Sequence, residues 1–317
     1  MIDCIKLCQD MKKYNKPVPK TLVKKGTLSI HTVESTPIVW KKELYCFEWV
    51  RPINGSGIGH YRFINRKTHE ITPAFAFDHT FGSPYAENGT MYVVGVKSER
   101  GKASEGTSDE LTMYWSKDLK NWQEKVALKL KGWEFYNTSI CKGANGKYIM
   151  AIEIGAPKEI AGNIFTIVFA QSDNLLDWEL LDPYKHVYTK ERYSACPVIR
   201  YEGGYYYMIY LEAMPLNRYV PYIIRSNDLL SWECGFRNPV MFYDDKEDKK
   251  IHPDAHFSSE QIDWINNSLD INNSDVDLCE YQGKTVIMYS WGNQLGREFL
   301  AEAEFDGSMQ EFFESFF

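Results

Sequence analysis

The stretch SKDLKNW (Ser116–Trp122) recurs as SDNLLDW (Ser172–Trp178) and as SNDLLSW (Ser226–Trp232), with 56 and then 54 residues between successive copies. In this pattern the Ser and Asp or Asn side chains can bond to nearby backbone amides and close a tight turn. The Trp can pack against the adjoining strands. A turn motif that returns at such a period indicates a repeat architecture.

A second unit occurs five times along the chain. It consists of a short apolar run, a polar or glycine-containing turn and an aromatic-rich run, which together predict a hairpin. Its anchor residues are Pro37, Pro84, Ile140, Pro197 and Leu278. Five units of two hairpins predict an all-β, five-bladed β-propeller. A five-unit sandwich is the alternative, but it gives no reason for a turn motif at constant phase.

The propeller is expected to occupy residues 31–317 as a single domain. Residues 1–30 form a separate N-terminal segment, in which Thr21–Ser29 could supply the missing outer strand of the last blade and close the ring. Short amphipathic helices are expected at Met1–Tyr14 and Met309–Phe317.

Composition excludes several classes of protein. The 317 residues carry 36 basic and 43 acidic side chains, a net charge of −7, which argues against nucleic-acid or anionic-membrane partners. The seven cysteines form no CxxC pair, so neither a disulfide framework nor a cysteine-type zinc site is expected. No leader-like segment is visible, and a cytoplasmic protein is expected. The chain is rich in Tyr, Phe and Trp, which suits strands and sugar-stacking sites.

Strand direction predicts which residues share one end of the ring. The Ser-x-Asp/Asn-Leu turns lie at the bottom, so their acidic residues are structural. The starts of the inner strands and the ends of the second strands lie at the top, and side chains alternate along a strand. The five candidate catalytic carboxylates at the top are Glu34, Glu153, Glu212, Asp275 and Asp277, with Asn137 and Ser194 expected to point the same way. Repulsion between neighbouring carboxylates in a narrow site raises the pKa of one of them. Cleavage of a glycosidic bond requires such a protonated acid beside an ionised carboxylate.

Candidate substrate-binding residues surround this set. They are Arg51, Asp78, His79, Asn137, Arg192, Tyr193, Trp291 and His256. The two arginines could bind a carboxylated sugar, and the rings of Tyr136, Tyr193 and Trp291 could stack on one. The long insertion before the fifth unit is expected to place His252, Asp254 and His256 above the same face. The spacing of these three residues suits a metal site only if they lie in a strand, so we expect no metal and no other cofactor.

The chain resembles the five-bladed propeller glycoside hydrolases of families 43, 32, 68 and 117 in its turn motifs, its proline anchors and the stretch Tyr289–Asn293. The resemblance implies a propeller fold and glycosidase activity. Those families place a catalytic Asp directly before the first proline and a general-acid Glu just before the fourth. Here Thr36 and Cys196 precede Pro37 and Pro197, and Ser83 and Ser139 stand where Asp is often found. The usual triad cannot be transferred.

The leading hypothesis is an exo-acting glycoside hydrolase that cleaves a terminal sugar from a short oligosaccharide with a pair of relocated carboxylates. The first alternative is a non-catalytic carbohydrate-binding propeller. A protein-interaction propeller and a metal-dependent lyase or epimerase are further alternatives. The glycine-rich Gly55–Gly59 stretch is interpreted as a rim loop, since no helix follows it.

Overall fold

The structure, a computed structural model, describes residues 21–51, 59–98 and 108–317. Within these ranges the chain forms nineteen strands and four short helices. The helix expected at Met1–Tyr14 and most of the glycine-rich stretch lie outside the described residues.

The strands form five antiparallel sheets, the blades. Blade 1 contains β2 (Thr36–Trp40), β3 (Glu43–Val50) and β4 (His60–Asn65). Blade 2 contains β5 (His79–Glu87), β6 (Thr90–Lys97), β7 (Glu110–Ser116) and β8 (Gln123–Lys129). Blade 3 contains β9 (Glu134–Lys142), β10 (Tyr148–Ala156), β11 (Thr166–Ser172) and β12 (Glu179–Leu180). Blade 4 contains β13 (Ala195–Glu202), β14 (Tyr205–Met214), β15 (Arg218–Ser226) and β16 (Glu233–Cys234). Blade 5 contains β17 (Asn272–Tyr281), β18 (Lys284–Gly292), β19 (Glu298–Phe305) and β1 (Leu22–Ile30).

The first strands of the five blades surround one axis. β2 contacts β5, β5 contacts β9, β9 contacts β13, β13 contacts β17, and β17 contacts β2. The other strands of each blade follow outwards in antiparallel order. The predicted five-bladed β-propeller is therefore confirmed, and the sandwich alternative is wrong.

The N-terminal strand closes the ring. β1 pairs with β19 from Leu22↔Phe305 to Ile30↔Phe299 and is the outer strand of blade 5. Residues from the beginning and the end of the chain thus share one sheet. The covered edge of β19 gains backbone hydrogen bonds that an open sheet would lack.

The repeated turns have the structural role that the sequence predicts. In the first copy, Ser116 Oγ accepts hydrogen bonds from the amides of Asp118 and Leu119, and Asp118 Oδ1 accepts from Lys120 and Asn121. The backbone of Leu119 adopts a φ of 59°. The other two copies repeat the serine contacts, for example at 2.9 Å to the amides of Leu175 and Leu229. These side chains are engaged in shaping the turn.

The C-terminal segment folds back on the propeller. Helix α4 (Met309–Glu314) begins with a capping box between Ser308 and Glu311, as expected for a stable short helix. Phe312 and Phe313 are buried, and the Phe313 ring stacks on Tyr207 with centroids 4.9 Å apart. The predicted C-terminal helix is confirmed, and its aromatic residues pack on the protein's own body.

The part of the insertion between blades 4 and 5 that spans residues 245–267 lies along the outside of blade 5, and the expectation that it places His252 and Asp254 above the top face is wrong. It contains α2 (Asp245–Asp248) and α3 (Ser259–Asn267), while the short helix α1 (Lys158–Ala161) follows β10. The amide of Thr27 in β1 donates to Lys250 O at 2.6 Å, and the amide of His252 donates to Thr27 O at 3.0 Å. The physical reason is that β1 is an edge strand, whose free backbone groups are paired by the insertion.

No helix in the described part of the chain has the length and apolar character needed to span a membrane.

Candidate functional site

Four inner strands have a residue in the left-handed backbone region at or near their start. These residues are Glu34, Phe81, Cys196 and Asp275, with φ values between 48° and 52°. Each lies six residues before the end of its inner strand. The strand pairing shifts at the last three, as at a β-bulge. Because a bulge redirects a side chain and is common next to active sites, this shared position points to one site on the axis.

A cavity of about 330 Å³, here called the axial cavity, opens at the top of the ring. Its polar lining consists of Glu34, Arg51, Asn137, Glu153, Cys196, Asp275, Gln294 and Glu298. Its aromatic lining consists of Phe81, Tyr136, Phe165, Tyr193 and Tyr219. The cavity therefore combines converging carboxyl groups with ring faces on which a sugar can stack.

Glu153 lies at the boundary between blades 3 and 4 and is only 2% exposed. Its Oε2 accepts hydrogen bonds from the amide of Cys196 at 2.7 Å and from Asn137 Nδ2 at 3.2 Å. Burial raises the pKa of Glu153 to about 8; the two hydrogen bonds oppose this change, and the nearby carboxyl groups of Glu34 and Asp275 add to it. At neutral pH this side chain holds a proton inside the cavity.

Glu34 is held by an ion pair. Arg51 Nη2 donates to Glu34 Oε2 at 2.6 Å, and Asn137 Nδ2 lies 3.4 Å from Glu34 Oε1. The guanidinium also lies over the ring of Trp49, 4.6 Å from its centroid. These contacts fix the orientation of the Glu34 carboxylate and place it one amide group away from Glu153.

Asp275 and Cys196 complete the acidic side of the cavity. Cys196 Sγ donates to Asp275 Oδ1 at 3.4 Å, and Ser274 Oγ donates to Asp275 Oδ2 at 3.0 Å. Burial, with added repulsion from Glu34 and Glu298, raises the pKa of Asp275 to about 6. Burial also holds the pKa of the Cys196 thiol well above its usual value. Cys196 is therefore a neutral hydrogen-bonding group rather than a nucleophilic thiolate.

Glu34, Cys196 and Asp275 are close enough together to hold a metal ion. One ligand atom from each lies within 4.8 Å of the others. The guanidinium of Arg51 already pairs with one of these carboxylates, and the thiol would have to lose its proton to bind a metal. The absence of a metal stays a prediction.

Asp277 lies below the axial cavity, beside a smaller space of about 40 Å³. Its Oδ2 accepts from Thr36 Oγ1 at 2.6 Å, and its Oδ1 accepts from Arg200 Nη2 at 2.6 Å. Both oxygens are thus engaged in joining blades 1, 4 and 5. The structure does not bring Asp277 into the axial cavity with the other carboxyl groups.

Glu212 does not reach the axial cavity either. It pairs with Arg192, whose Nε lies 2.9 Å from Glu212 Oε1, and accepts from Tyr210 OH at 2.8 Å. The neighbouring Leu211 lines the cavity instead. Successive side chains of a strand point to opposite faces of the sheet. Since Leu211 points into the axial cavity, the next residue, Glu212, points away from it and pairs with Arg192 outside the cavity.

The other predicted binding residues divide into two groups. Arg51, Asn137 and Tyr193 line the axial cavity. Asp78, His79, Trp291 and His256 are not among its lining residues. His79 is buried against Thr112 and Tyr114, and burial lowers its pKa. Trp291 stacks on Phe299 at 4.1 Å and donates to Thr27 Oγ1, so it belongs to the core of blade 5.

Sequence reasoning missed Cys196, Tyr219 and Glu298 as cavity residues. Cys196 takes the place at which the sequence predicts Ser194. Ser194 is in fact fully buried, and its amide donates to Phe165 O at 2.9 Å. No sequence signal marks this change, because it depends on a β-bulge: Pro37 and Pro84 follow the left-handed residue by three positions, whereas Pro197 follows it directly.

No known family model and no curated protein matches the sequence. Solved structures do resemble the fold. One titled "Glycoside hydrolase" aligns with a TM-score of 0.61 and 11% identity over 98% of this chain and 97% of that chain. A thermostable family-43 glycoside hydrolase aligns at 0.59 and 12% identity, over 89% of this chain and 92% of that one. An exo-1,5-α-L-arabinanase from a bovine ruminal metagenomic library aligns at 0.54 and 10% identity, over 88% and 94% respectively.

At such low sequence identity, the structural likeness establishes the fold alone. The chemistry of the site has to be argued from this chain's own residues. The resemblance inferred from the sequence is confirmed at the level of the propeller.

Proposed function

We propose that this protein is a glycoside hydrolase that removes a terminal sugar from its substrate. The observation that carries the proposal is the convergence of Glu34, Glu153 and Asp275 on one cavity, in three different electrostatic environments. Cleavage of a glycosidic bond needs a protonated carboxylic acid near an ionised carboxylate. A family-43 glycoside hydrolase and an exo-1,5-α-L-arabinanase have similar folds, which agrees with this chemistry.

In the proposed reaction Glu153 is the general acid. Its proton passes to the glycosidic oxygen as the bond from that oxygen to the anomeric carbon breaks. Glu34 is the second carboxylate: it either takes a proton from the attacking water or attacks the anomeric carbon and is then displaced by water. Asp275 adds negative charge beside the positive charge that develops on the sugar ring.

The shape of the cavity supports an exo mode of action. Glu34, Asn137, Cys196 and Asp275 separate the axial cavity from the narrower space beneath it. Asp277, whose Oδ1 lies 2.6 Å from Arg200 Nη2, borders that lower space. A polymer could not pass through, so a chain end would enter from the top and place one sugar at the acid.

The charges of the site favour a neutral sugar. Among the described residues, the cavity lining contains four carboxyl groups, those of Glu34, Glu153, Asp275 and Glu298, and one guanidinium, that of Arg51. This guanidinium lies 2.6 Å from Glu34 and 4.0 Å from Glu298. Arg192, the other arginine proposed from the sequence for a carboxylated sugar, pairs with Glu212. A uronate would add a further carboxylate to a lining with more carboxyl groups than guanidinium groups, so we propose that the bound sugar carries no charge.

A carbohydrate-binding propeller without activity is the second candidate. One observation favours it: a neutral Cys196 directly precedes Pro197, where the resembled families carry their general acid.

Hydrolysis of a panel of neutral oligosaccharides and aryl glycosides decides between the two candidates. Wild type should release monosaccharide, and Glu34→Gln, Glu153→Gln and Asp275→Asn should each lose most of that activity. Glu212→Gln is the matched control, because Glu212 is a partly buried, ion-paired carboxylate outside the cavity. Sugar binding without turnover by wild type would overturn the hydrolase and support the binding protein.

A further inference from the structure

A second cavity, here called the apolar cavity, lies next to the axial cavity between blades 4 and 5. Its volume is about 170 Å³. Seven of its nine lining residues are apolar or aromatic: Met214, Tyr219, Val220, Met241, Phe242, Tyr243 and Ile271. The proposed hydrolysis leaves this cavity without a role.

Tyr219 connects the two cavities. It lines both of them, and its ring lies 5.5 Å from that of Tyr193 in the wall of the axial cavity. A ligand with its sugar in the axial cavity therefore needs to extend only past one tyrosine to reach the apolar cavity.

Asn273, one of the two lining residues with an amide or charged side chain, has its hydrogen-bonding groups engaged outside the apolar cavity. Asn273 Oδ1 accepts from Lys24 Nζ at 2.7 Å, and Asn273 Nδ2 donates to Asp248 Oδ2 and to Asn272 O, both at 3.0 Å. Arg218 Nε donates to Pro215 O at 3.3 Å. Because seven of the nine lining residues are apolar or aromatic, a second sugar ring would lose water from its hydroxyl groups against a mostly apolar surface, which costs free energy.

An aromatic ring fits the same space without that cost. An apolar cavity of about 150 Å³ in another protein holds benzene. Phe242 and Tyr243 are 62% and 42% exposed, so both rings are available for contact with a ligand. Aromatic rings attract one another in offset or edge-to-face arrangements.

We propose that the apolar cavity binds the leaving group of the substrate and that this group is an aromatic aglycone, so that the substrate is a phenolic glycoside. This inference rests on the proposed hydrolase. In the reaction the phenolic oxygen takes the proton of Glu153 as its bond to the anomeric carbon breaks. Water supplies the hydroxyl group of the released sugar and the proton that restores the acid.

The test separates the cavity from the chemistry. Calorimetry measures the binding of 4-nitrophenol to wild type, Glu153→Gln, Val220→Phe and Phe242→Ala. Kinetics compare the 4-nitrophenyl and methyl glycosides of the same neutral sugar in wild type and in the two cavity variants. Phe242 is exposed, so its variant should keep the fold, and thermal unfolding checks both variants. Leu230→Ala is the control for removing an exposed apolar side chain elsewhere in blade 4.

We expect 4-nitrophenol to bind wild type and Glu153→Gln equally, and about tenfold more weakly to Val220→Phe and Phe242→Ala. The kcat/KM for the aryl glycoside should fall by a similar factor in both variants, with the methyl glycoside unchanged. Turnover of glycosides without 4-nitrophenol binding or aryl preference would overturn this inference and leave the hydrolase intact. Binding of 4-nitrophenol without turnover of any glycoside would overturn the hydrolase and, with it, the leaving-group role.

Discussion

The backbone amide of Cys196 donates a 2.7 Å hydrogen bond to Oε2 of Glu153, across the boundary between blades 3 and 4. Cys196 can make this bond because its φ of 48° turns the start of β13 towards the preceding blade. Asn137 donates to the same oxygen. Oε1 is therefore the oxygen that can hold the proton, and the backbone of one blade orients the acid of another.

Glu153→Gln should lower kcat/KM by about 10²–10⁴-fold for a methyl glycoside, because the leaving oxygen no longer receives a proton. The loss should be much smaller for a 4-nitrophenyl glycoside, whose leaving group needs little protonation. Steady-state kinetics on both substrates measure the difference, with Glu212→Gln as the control that retains activity. An equal loss on both substrates would show that Glu153 is not the acid.

Glu153 should also make the stability of the protein depend on pH. Its pKa is about 8 in the folded state against an ordinary value of 4.5, so the folded state binds the extra proton between these values. The contribution of Glu153 to the free energy of unfolding is therefore fully present below about pH 4.5. It is lost as pH rises through about 8, and its size is on the order of a few kcal/mol. Glu153→Gln cannot ionise and should lose less stability over this range.

Urea unfolding of both proteins at acidic, neutral and alkaline pH measures this effect. Parallel pH dependence in wild type and Glu153→Gln would mean that the carboxyl group is not buried as described.

Arg51→Met should impair catalysis without a large loss of substrate binding. Removing the guanidinium that lies 2.6 Å from Glu34 leaves that carboxylate free to rotate and places it among other acids without compensation. We expect kcat to fall about 10- to 100-fold, the size of effect that a misplaced catalytic group produces, with KM changed far less. Arg192→Met is the matched control, since it breaks an arginine–glutamate pair outside the cavity. Equal kcat values for the two variants would contradict a positioning role for Arg51.

Lys24→Met should destabilise the closure of the ring. Lys24 Nζ lies 2.6 Å from Asp248 Oδ1, with side chains 9% and 0% exposed, and joins β1 to α2. Its loss leaves a buried carboxylate that keeps only neutral donors such as Tyr289 OH, at a cost of about 3–5 kcal/mol. Lys25→Met breaks the more exposed pair with Glu304 and should cost about 0–1 kcal/mol. Denaturant unfolding compares the variants, and equal effects would refute a special role for Lys24.

Sequence by itself determined the ring. The three Ser-x-Asp/Asn-Leu-x-x-Trp turns are local structures, in which Ser116 and Asp118 bond to amides within three residues. The five hairpins likewise need only adjacent residues. Local hydrogen bonding and strand periodicity are written in consecutive residues, so blade number, strand direction and the acidic top of the ring could be predicted.

Only the tertiary structure decided which acids meet. Glu153 and Glu212 both end apolar strands, yet the register of β14 presents Leu211 to the cavity and turns Glu212 away. The bulge at Cys196 displaces Pro197 by two positions from its expected phase, which removes Ser194 from the axis. Successive side chains of a strand lie on opposite faces of the sheet. A shift of one position therefore moves a residue from the cavity to the rim, and neither composition nor spacing reveals such a shift. The raised pKa of Glu153 arises in the same way, from burial and from carboxyl groups contributed by other blades.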